Sequence, residues 1–583
     1  MCNNVNVSVS EYPAKVTLTE HFSSETCKIY KLVVSADEKF IPEPLKIAWE
    51  MPVNDVISVW SPRVGFSRFL APNWRKTKTE SRIASGAPVM SAINADGTNA
   101  CTVALSDPKS PTEIGFGVSE EHAVFECHAI FFTAFVAPID TYEAFIRFDF
   151  DQVPFTKAVQ SVGSWWEKDF GYTHAYVPKS AYMPMNSAWY SFHQALIPEK
   201  LIEECKLSAP LGMETIILDD GWQTDDNNRG YKFCGDWELA TGKIPDMKAL
   251  VDEIHKTGMK VMLWFSVPFV GIHSKAYERF KDKALYDKGG VLVVDVRYKE
   301  VRDYLIGIYK DAVVNYGLDG LKLDFIDSFR LTDQSPAAND QMDTHSVEDA
   351  LDALLKEAKD ELLKIDPDIL VEFRQSYIGP TILKYGNMIR VGDCPYDSLR
   401  NRMGIVDLRL TSGKTAVHSD MIMWNKDASV ESAALQMIST LFGVPQVSVL
   451  IKDLPESHKK ALKFWLDFYR ENIDLLHSDD LSVKNPEMCY SQVKTQLDGS
   501  LVAVNYANVP FDVDTFENEG CVYNLINSTF EKQIFINAKA DLGKVSVKVF
   551  NCMGDTVTEK VSEIKQGITV IDVPACSLVR ITK

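Results

Sequence analysis

Five apolar segments in the middle of this 583-residue chain end in charged or strongly polar side chains. Such groups are costly to bury, so each must be paired or must serve a function. Five segments that end in this way indicate one common site rather than five separate salt bridges. The side chains concerned are Asp219, Asp220, Lys322, Asp324, Arg374, Asp393 and His418.

Lys322 and Asp324 lie two residues apart in the segment DGLKLDF. Side chains two apart on a β-strand face the same way, so the pattern places an ammonium group beside a carboxyl group. A nearby positive charge lowers the pKa of a carboxyl group and keeps it ionised. This suits a nucleophile. The alternative, a buried Lys–Asp ion pair that only holds the strand, stays open at this point.

Asp393 lies in the segment NMIRVGDC, and its immediate neighbours carry no charge. A general acid must hold its proton near neutral pH, which takes desolvation or a nearby carboxylate. Asp397 follows four residues later, with Arg400 and Arg402 beyond, so the sequence leaves the pKa of Asp393 open. Asp397 is the competing choice for the acid.

A pair of carboxyl groups on different strands is the arrangement that glycoside cleavage requires. We therefore expect Asp324 to act as the nucleophile and Asp393 as the general acid/base. A separation of about 5–5.5 Å between the two carboxyl groups implies retention of the anomeric configuration, and a larger one implies inversion.

Aromatic residues at or just past the same strand ends point to a sugar as the substrate. Sugars have apolar C–H faces and hydroxyl rims, which match aromatic rings that lie beside aspartate and lysine. Any single tryptophan in such a place is more often core packing, since tryptophan is highly buried on average. The residues are Trp189, Tyr190, Trp222, Trp237, Trp264, Tyr377 and Tyr396.

Three regions of the chain, which differ in the spacing of their apolar residues, must position these side chains. Alternating segments such as CKIYKLVVS predict an N-terminal β-sandwich over residues 1–165. Strand and helix patterns alternate over residues 166–478, which is typical of a parallel sheet. Alternation returns over residues 479–583 and predicts a smaller C-terminal antiparallel β-sandwich.

The middle region contains eight strand candidates, and each is followed by a helical pattern. A (β/α)8 (TIM) barrel fits this count and length, and barrel enzymes carry their chemistry at the carboxyl ends of the strands. A doubly wound open sheet is the rival, but no Gly-rich phosphate loop is present. The candidates are Met183–Tyr190, Met213–Trp222, Lys260–Val267, Asp319–Phe325, Ile369–Ser376, Asn387–Cys394, Thr415–Met421 and Val444–Leu450.

Composition limits the partners and the compartment. The chain has 61 basic and 81 acidic residues, a formal net charge of −20, which argues against nucleic acid and anionic membranes as partners. The first residues lack a basic region followed by an apolar stretch, so we expect no signal peptide. The 11 cysteines form no CxxC pair and no zinc-like spacing, which indicates reduced thiols in a cytoplasmic protein and no metal site.

Four motifs in this order resemble glycoside hydrolase family 36, the group of microbial α-galactosidases and plant raffinose-synthase-like proteins. They are IILDDGWQ, DGLKLDF, VGDCPYDSLRNR and TAVHSDMIMWN. The resemblance implies an N-terminal β-supersandwich, a barrel and a C-terminal β-sandwich, with no metal or organic cofactor.

The resemblance also implies a role for each matching residue. Asp324 matches the nucleophile and Asp393 the acid/base, while Asp219 and Asp220 match the pair that binds the outer hydroxyls of the terminal sugar. The remaining matches are a platform tryptophan at Trp237 and the lysine before the nucleophile at Lys322. Trp264, Tyr377, Asp397 and His418 join the expected substrate-binding set because they lie at or beyond strand ends.

The sequence departs from the family at two strands. Strand three reads MLWFSVPFVG and lacks the arginine of the family. Strand five reads EFRQSYIGP where the family has a Cys-containing, Gly-rich segment near the 2-position of the sugar. Arg374 on strand five can supply the missing cation, can bind a substrate carboxylate through its planar fork, or can simply pair with Glu372 or Asp393.

These patterns favour an exo-acting α-galactosidase-like hydrolase whose substrate is an oligosaccharide or glycoside. A second hypothesis keeps the mechanism and changes the sugar to an α-N-acetylgalactosaminide or an α-uronide. A third transfers the sugar to another sugar, as raffinose synthase does, and a fourth is a sugar-binding protein with an inactive barrel. The resemblance also allows a homo-oligomer, although no sequence stripe points to one interface.

Overall fold

The N-terminal part of the chain forms two packed β-sheets. The computed structural model describes residues 7–62, 68–518 and 520–583, so the first six residues, on which the signal-peptide expectation depends, lie outside the described residues. The N-terminal strands are β1 (Ser8–Val9), β2 (Lys15–Ser23), β3 (Cys27–Phe40), β4 (Leu45–Pro52), β5 (Val56–Trp60), β6 (Thr77–Ser81), β7 (Val89–Asn94), β8 (Asn99–Leu105), β9 (Thr112–Ser119), β10 (Val124–Phe131) and β11 (Ile139–Asp149).

The two N-terminal sheets are antiparallel and have the strand orders β1-β4-β10-β9-β6 and β2-β3-β11-β8-β7-β5. Their sequence alternates because one face of each sheet is buried. In β4, Leu45, Ile47, Trp49 and Met51 are buried, whereas the residues between them are more exposed. This period of two places the apolar set on the inner face of the sandwich.

The middle of the chain contains eleven of the described strands. They are β12 (Met185–Ser187), β13 (Thr215–Leu218), β14 (Lys260–Ser266), β15 (Phe269–Gly271), β16 (Ala284–Asp287), β17 (Val291–Val294), β18 (Gly320–Asp324), β19 (Leu370–Arg374), β20 (Met388–Arg390), β21 (Ala416–His418) and β22 (Gln446–Val447). Strands β15, β16 and β17 form a small separate sheet that follows β14.

The other eight strands form a parallel barrel. Their order is β21-β20-β19-β18-β14-β13-β12-β22, and a parallel bridge between His418 and Val444 joins the two ends. Each strand corresponds to one of the eight segments that the sequence predicts. Every residue of β13 and β18 is buried, as expected for parallel strands that are covered on both faces.

Helices cover the outside of the barrel. In the helix over Val347–Ile365, Ser346 accepts a hydrogen bond from the backbone N–H of Asp349 and caps the N-terminus, while Leu351 and Leu354 belong to the buried stripe. The described helices are α1 (Phe155–Phe170), α2 (Ala188–Phe192), α3 (Pro198–Ser208), α4 (Met247–His255), α5 (Lys275–Phe280), α6 (Lys299–Tyr316), α7 (Val347–Ile365), α8 (Ser398–Arg409), α9 (Val430–Ile438), α10 (Glu456–Glu471) and α11 (Ile473–Leu476).

The C-terminal part is a second β-sandwich. Its sheets have the orders β23-β24-β25-β27-β32-β29-β30 and β26-β28-β31. The pairing is antiparallel except for two parallel pairs, β25 with β27 and β26 with β28. The strands are β23 (Leu481–Lys484), β24 (Gln492–Leu497), β25 (Ser500–Asn505), β26 (Phe511–Val513), β27 (Val522–Asn527), β28 (Gln533–Ala538), β29 (Gly543–Phe550), β30 (Thr556–Ile564), β31 (Gly567–Asp572) and β32 (Ser577–Thr582).

The predicted fold class, a (β/α)8 barrel between two β-sandwiches, is confirmed. The exact division at residues 165 and 478 stays a prediction, and α1 runs across the first of these positions. Each cysteine that the structure describes has a free thiol. Among the described residues, no helix is both long enough and apolar enough to cross a membrane.

One buried charge joins all three parts of the chain. Asp407 on α8 accepts hydrogen bonds on both carboxylate oxygens from Arg68, each at 2.7 Å, and a third from the indole N–H of Trp60 at 2.9 Å. Arg68 also donates to the Tyr490 hydroxyl at 2.7 Å, and Tyr490 donates to Asp407. Trp60 and Arg68 belong to the N-terminal part and Tyr490 to the C-terminal part, so this cluster fixes both sandwiches against the barrel.

A second contact brings the N-terminal sandwich to the mouth of the barrel. Arg82 donates to the carbonyl of Asp327 at 2.7 Å, and the Gly86 N–H donates to the carbonyl of Ser376 at 2.5 Å. Gly86 has a φ of 70°, and a Cβ atom there would lie 2.2 Å from the Glu80 carbonyl oxygen. Only glycine fits this turn, which carries residues 80–86 onto the loops that follow β18 and β19.

We predict that Asp407→Asn destabilises the protein by about 3–5 kcal/mol, because it leaves the buried Arg68 guanidinium without a counter-ion. Thermal unfolding followed by circular dichroism measures the change. The matched control is Lys31→Met, which breaks the exposed Lys31–Glu143 pair and costs at most about 1 kcal/mol. An Asp407→Asn protein that unfolds at the wild-type temperature contradicts the anchoring role.

Candidate active site

Asp324 lies at the carboxyl end of β18 and is buried, with 7% of its surface exposed. Its Oδ1 atom accepts hydrogen bonds from Arg374 Nε at 2.6 Å, from the Tyr377 hydroxyl at 2.8 Å and from the Phe325 N–H at 2.8 Å. Its Oδ2 atom accepts one, from the indole N–H of Trp264 at 3.1 Å. Four donors therefore orient a single carboxylate. Three of them bond to Oδ1 and one bonds to Oδ2.

The electrostatic surroundings keep Asp324 ionised. Burial acts to raise the pKa of its carboxyl group, but the positive charges of Arg374 and Lys322 and the hydrogen bonds from Arg374 and Trp264 outweigh it. The pKa of Asp324 is consequently held well below its usual value. Arg374 thus pairs with Asp324, and not with Glu372 or Asp393.

Lys322 on β18 bonds to Asp219, which follows the next-but-one strand β13, with Nζ 2.5 Å from Oδ2. Both side chains are buried. The lysine therefore acts on Asp324 through its charge, whereas its direct partner is the aspartate that follows β13. This differs from a simple Lys322–Asp324 pair, because Asp219 follows β13, which is separated from β18 by β14 alone.

Asp220 is held by two amide side chains. Gln194 donates to Oδ2 and Gln223 donates to Oδ1, each at 2.7 Å. Burial, helped by the negative charge of Asp219, raises the pKa of Asp220 to about 6 even though both amides oppose it. Asp219 and Asp220 therefore sit side by side at the barrel mouth, as their positions after β13 predict.

Aromatic rings form one wall beside these carboxylates. Trp264 in β14 is 2% exposed and packs edge-on against Trp237, with 5.9 Å between ring centroids. Trp237 stacks on Trp222, which is fully buried and donates its indole N–H to the Trp264 carbonyl. Tyr231, which the sequence did not single out, stacks on Trp264, and burial, together with the charges of Asp324 and Asp220, raises its pKa.

Asp393 follows β20 and is much more open, with 59% of its side chain exposed. Its Oδ1 atom accepts a hydrogen bond from Arg390 at 2.9 Å. The positive charge of Arg390 lowers the pKa of Asp393, with smaller contributions from Lys322 and Arg374, and partial burial opposes this shift. In the free protein Asp393 is therefore ionised at neutral pH, which is not the resting state of a general acid.

Arg390 belongs to a buried charge cluster that sequence reasoning missed. It also donates to Asp420 and lies 3.8 Å from Glu372, and all three side chains are fully buried or nearly so. Burial raises the pKa of Asp420 and of Glu372, while Arg390 opposes both shifts. The signal was present, because Arg390 ends a barrel strand and Asp420 follows His418 at the end of the next one.

Arg374 and Asp393 line the same cavity of about 340 Å³. A volume of this order is typical of small-molecule sites. The barrel contributes Arg374, Gln375, Ser376, Ile378, Gly392, Asp393 and Arg400, and the N-terminal sandwich contributes Pro62, Glu80, Ser85 and Gly86. A larger cavity of about 830 Å³ lies next to α1 and is lined by none of the predicted site residues.

Two predicted site residues lie elsewhere. Asp397 is exposed and caps α8, where its carboxylate accepts a hydrogen bond from the Arg400 N–H at 2.9 Å. His418 is fully buried, with Nε2 2.7 Å from the Ala181 carbonyl oxygen, and burial lowers its pKa to about 3. Asp397 thus has a local structural partner, and His418 is a neutral core residue.

The arrangement combines an ionised buried carboxylate, a second, open carboxylate and a rim of polar and aromatic groups. These are the parts of acid/base and nucleophilic chemistry on a hydroxylated substrate. Among the residues that the structure describes, no group of three or more histidine, cysteine, aspartate or glutamate side chains is arranged to hold a metal ion.

The melibiase family model matches residues 185–478, which is half of the chain and spans β12 to β22 and the helices that follow. The α-galactosidase AgaA of Geobacillus stearothermophilus is 27% identical over 136 residues, which cover 22% of this chain and 18% of AgaA. The A type blood alpha-D-galactosamine galactosaminidase of Flavonifractor plautii is 35% identical over 83 residues, 14% of this chain and 7% of that protein. The matched segments thus span less than a fifth of these relatives.

A solved structure extends the similarity of fold to nearly the whole chain. The GH36 α-galactosidase AgaA variant from Geobacillus stearothermophilus in complex with raffinose superposes with a TM-score of 0.64 at 14% identity. The superposition covers 99% of this chain and 86% of that one. The resemblance to glycoside hydrolase family 36 is therefore confirmed.

We predict that Arg374→Gln is less stable than the wild type at pH 7 and that the difference shrinks on acidification. At pH 7 the variant leaves the ionised Asp324 buried without its main counter-charge. The stability from a carboxyl group with a lowered pKa is present above its unfolded pKa, about 3.9, and is lost as the pH falls through the folded one. The pKa of Asp324 is higher in the variant, so protonation relieves its penalty first.

Thermal unfolding of both proteins between pH 7 and pH 3 measures this difference. Tyr377→Phe is the matched control, because it removes a hydrogen bond to the same oxygen atom without removing a charge. A gap between Arg374→Gln and the wild type that stays constant with pH would show that Arg374 does not set the charge state of Asp324.

Proposed function

Because this chain belongs to the melibiase family of glycoside hydrolases, we propose that it is a retaining, exo-acting α-galactosidase. It removes a terminal α-linked sugar from an oligosaccharide by double displacement. The observation that carries this proposal is the contrast between two carboxyl groups at one barrel mouth. Asp324 is buried and bonded to four donors, whereas Asp393 is open to the cavity in which a leaving group fits.

Asp324 is the nucleophile in this proposal, and Oδ2 is the atom that attacks the anomeric carbon. Oδ1 already accepts three hydrogen bonds, which hold the carboxylate plane, while Oδ2 accepts only the Trp264 indole N–H. Arg374 and Lys322 keep the group ionised before attack. The bond from Oδ2 to the anomeric carbon forms as the glycosidic C–O bond breaks, which gives a covalent glycosyl-enzyme.

Asp393 is the general acid/base. In the first step it gives its proton to the glycosidic oxygen of the departing sugar and becomes a carboxylate. In the second step that carboxylate takes a proton from water, the water oxygen attacks the anomeric carbon, and Asp324 is released. Asp397 is the weaker choice, because its carboxylate caps α8 and does not line the cavity.

Asp219, Asp220, Lys322 and Trp237 form the proposed binding group for the terminal sugar. Carboxylate oxygens accept hydrogen bonds from sugar hydroxyls, and the aromatic wall offers a surface for C–H faces. The Lys322–Asp219 ion pair and the two amides on Asp220 orient these oxygens before the sugar arrives. A preoriented site binds more tightly because less freedom is lost on binding.

Arg374 takes the place of the arginine that strand three lacks. Its Nε donates to Asp324 and its Nη1 donates to the Gln375 carbonyl, so part of its fork is occupied. This favours a neutral sugar over an α-uronide. An α-N-acetylgalactosaminide stays the second candidate, since strand five departs from the family near the 2-position and one relative is a galactosaminidase.

We expect Asp324→Ala to abolish turnover of every substrate, a fall of at least about 10⁴-fold in kcat, because no other group can form the covalent intermediate. Asp393→Asn should lower kcat/KM by about 10²–10⁴-fold on an oligosaccharide and far less on an aryl glycoside with a good leaving group, because formation of the glycosyl-enzyme then needs no protonation. The matched control is Asp397→Asn, which should keep near-normal turnover of both. Near-normal activity in Asp324→Ala contradicts the mechanism.

A panel of aryl α-glycosides tests the sugar. We expect the plain α-galactoside to give the highest kcat/KM, with the α-N-acetylgalactosaminide and the α-uronide well below it. Proton NMR of the first-formed product should show the α-anomer, as retention requires. Preference for the N-acetyl sugar replaces the first candidate with the second, and β-anomer as the first product contradicts double displacement.

We propose hydrolysis rather than transfer because the matched relative AgaA is an α-galactosidase. Product analysis at high acceptor concentration separates the two outcomes, and a transferase would give a longer oligosaccharide as its main product. The cytoplasmic location, the homo-oligomer and the division at residues 165 and 478 stay predictions.

A further inference from the structure

Arg390 is the last residue of β20, three residues before Asp393, and its side chain is 1% exposed. Nη2 donates to Asp393 Oδ1 at 2.9 Å, and Nη1 donates to Asp420 and, at 3.0 Å, to the Val391 carbonyl. A fully buried guanidinium thus reaches out of the barrel core to one oxygen of an open carboxylate.

Asp420 fixes the guanidinium from the other side. Its second oxygen, Oδ2, accepts hydrogen bonds from the Cys394 N–H at 2.6 Å and from the Tyr190 hydroxyl at 3.0 Å. Asp420 is fully buried, and both of its carboxylate oxygens are hydrogen-bonded. Arg390 and Asp420 therefore hold each other in place, and the Asp393 carboxyl group is hydrogen-bonded to this buried guanidinium.

The bond between Arg390 and Asp393 is asymmetric. Arg390 is buried, whereas 59% of the Asp393 side chain is exposed. The other charged or titratable groups around Asp393 come from each neighbouring element: Lys322 on β18, Arg374 on β19, Asp420 after β21, Tyr190 on α2, and Glu80 and Arg400 on the cavity walls. Among the described residues, only Arg390 is directly hydrogen-bonded to the Asp393 carboxylate.

We propose that Arg390 is a positioning residue that ties the Asp393 carboxyl group to the barrel core and sets the pH at which this group carries its proton. The proposal rests on Asp393 being the acid/base. In the free protein the Arg390 charge favours the carboxylate. A sugar bound over the exposed side of Asp393 excludes water and disfavours that carboxylate, so proton uptake accompanies substrate binding.

The same contact assists the first half of the reaction. When Asp393 has protonated the leaving oxygen, its new negative charge lies 2.9 Å from the Arg390 guanidinium, which stabilises it. Arg390 therefore makes Asp393 a stronger acid toward the leaving oxygen. In the second half of the reaction the same positive charge makes the Asp393 carboxylate a weaker base toward water.

The sign of the pH effect follows from this arrangement. Cleavage needs the protonated form of Asp393, so the alkaline limb of kcat/KM falls where the free protein loses this proton. Arg390 lowers the pKa of Asp393, which places the limb at lower pH. Removing the Arg390 charge must move the limb to higher pH.

The experiment is the pH profile of kcat/KM for Arg390→Gln on an unactivated oligosaccharide. We expect its alkaline limb to move up by about 1 pH unit or more, because an adjacent opposite charge shifts a carboxyl pKa by about 1–3 units. Arg390→Lys keeps the charge, and its limb should stay within about half a unit of the wild type. An unmoved limb in Arg390→Gln, or a full shift in Arg390→Lys, overturns the proposal.

Arg390→Gln leaves Asp420 buried without its counter-ion and can impair folding. The double variant Arg390→Gln/Asp420→Asn removes both charges with little change of shape, and a smaller upward shift is expected there, because loss of the Asp420 charge offsets part of it. If the limb stays at its wild-type position in this folded double variant, the proposal fails. The matched control is Arg402→Gln, because Arg402 is a buried arginine that donates to the Cys489 carbonyl and packs on Tyr506 away from the site.

The failure of the proposed function gives a different result. If Asp393→Asn retains turnover of the unactivated oligosaccharide, Asp393 is not the acid and both the function and the inference fall. If Asp393→Asn is inactive on that substrate and active on the aryl glycoside, but the limb does not move in the Arg390 variants, only the inference falls.

Discussion

The ion pair between Arg374 and Asp324 is the contact on which the rest of the site depends. A carboxylate that is 7% exposed is stable in the barrel mouth only because a guanidinium lies 2.6 Å from one of its oxygens. Tyr377 and Trp264 complete the set of side-chain donors. The same contact keeps the charge on Asp324 and helps to fix the orientation of its carboxylate, so the stability of this buried charge and the reactivity that we propose for it have one physical origin.

Charge alternates around the interior of the barrel beyond this pair. Lys322 on β18 balances Asp219, and Arg390 on β20 balances Asp420 and draws Asp393 to the wall. Lys322 and Arg390 come from different strands, and their buried partners Asp219 and Asp420 follow two others, β13 and β21. Because these buried charges are paired, removing one of them leaves its partner without a counter-charge.

The N-terminal sandwich takes part in this site. The buried contact of Arg68 with Asp407 and the turn at Gly86 press residues 80–86 onto the loops that follow β18 and β19. The cavity beside Asp393 therefore has one wall from the barrel and one from the sandwich. The polar side chains on both walls suit a hydroxylated leaving group.

The amino-acid sequence by itself determined the periods of the chain and the positions of its strand ends. The alternation of apolar and polar residues with a period of two, together with the repeated strand–helix pattern, was enough to predict the sandwich–barrel–sandwich order. Asp219, Asp220 and Asp324 could be found because residue type and position at a strand end suffice to identify them. The spacing of Lys322 and Asp324 correctly placed both on one face.

Only the tertiary structure decided which charge meets which. It paired Lys322 with Asp219, paired Arg374 with Asp324, buried His418 and placed Arg390 between Asp420 and Asp393. These contacts join residues on different strands, and their geometry depends on how the barrel closes. The sequence does not determine the pKa of Asp393 for the same reason. This pKa depends on the distance to the Arg390 guanidinium and on how much water reaches the carboxyl group.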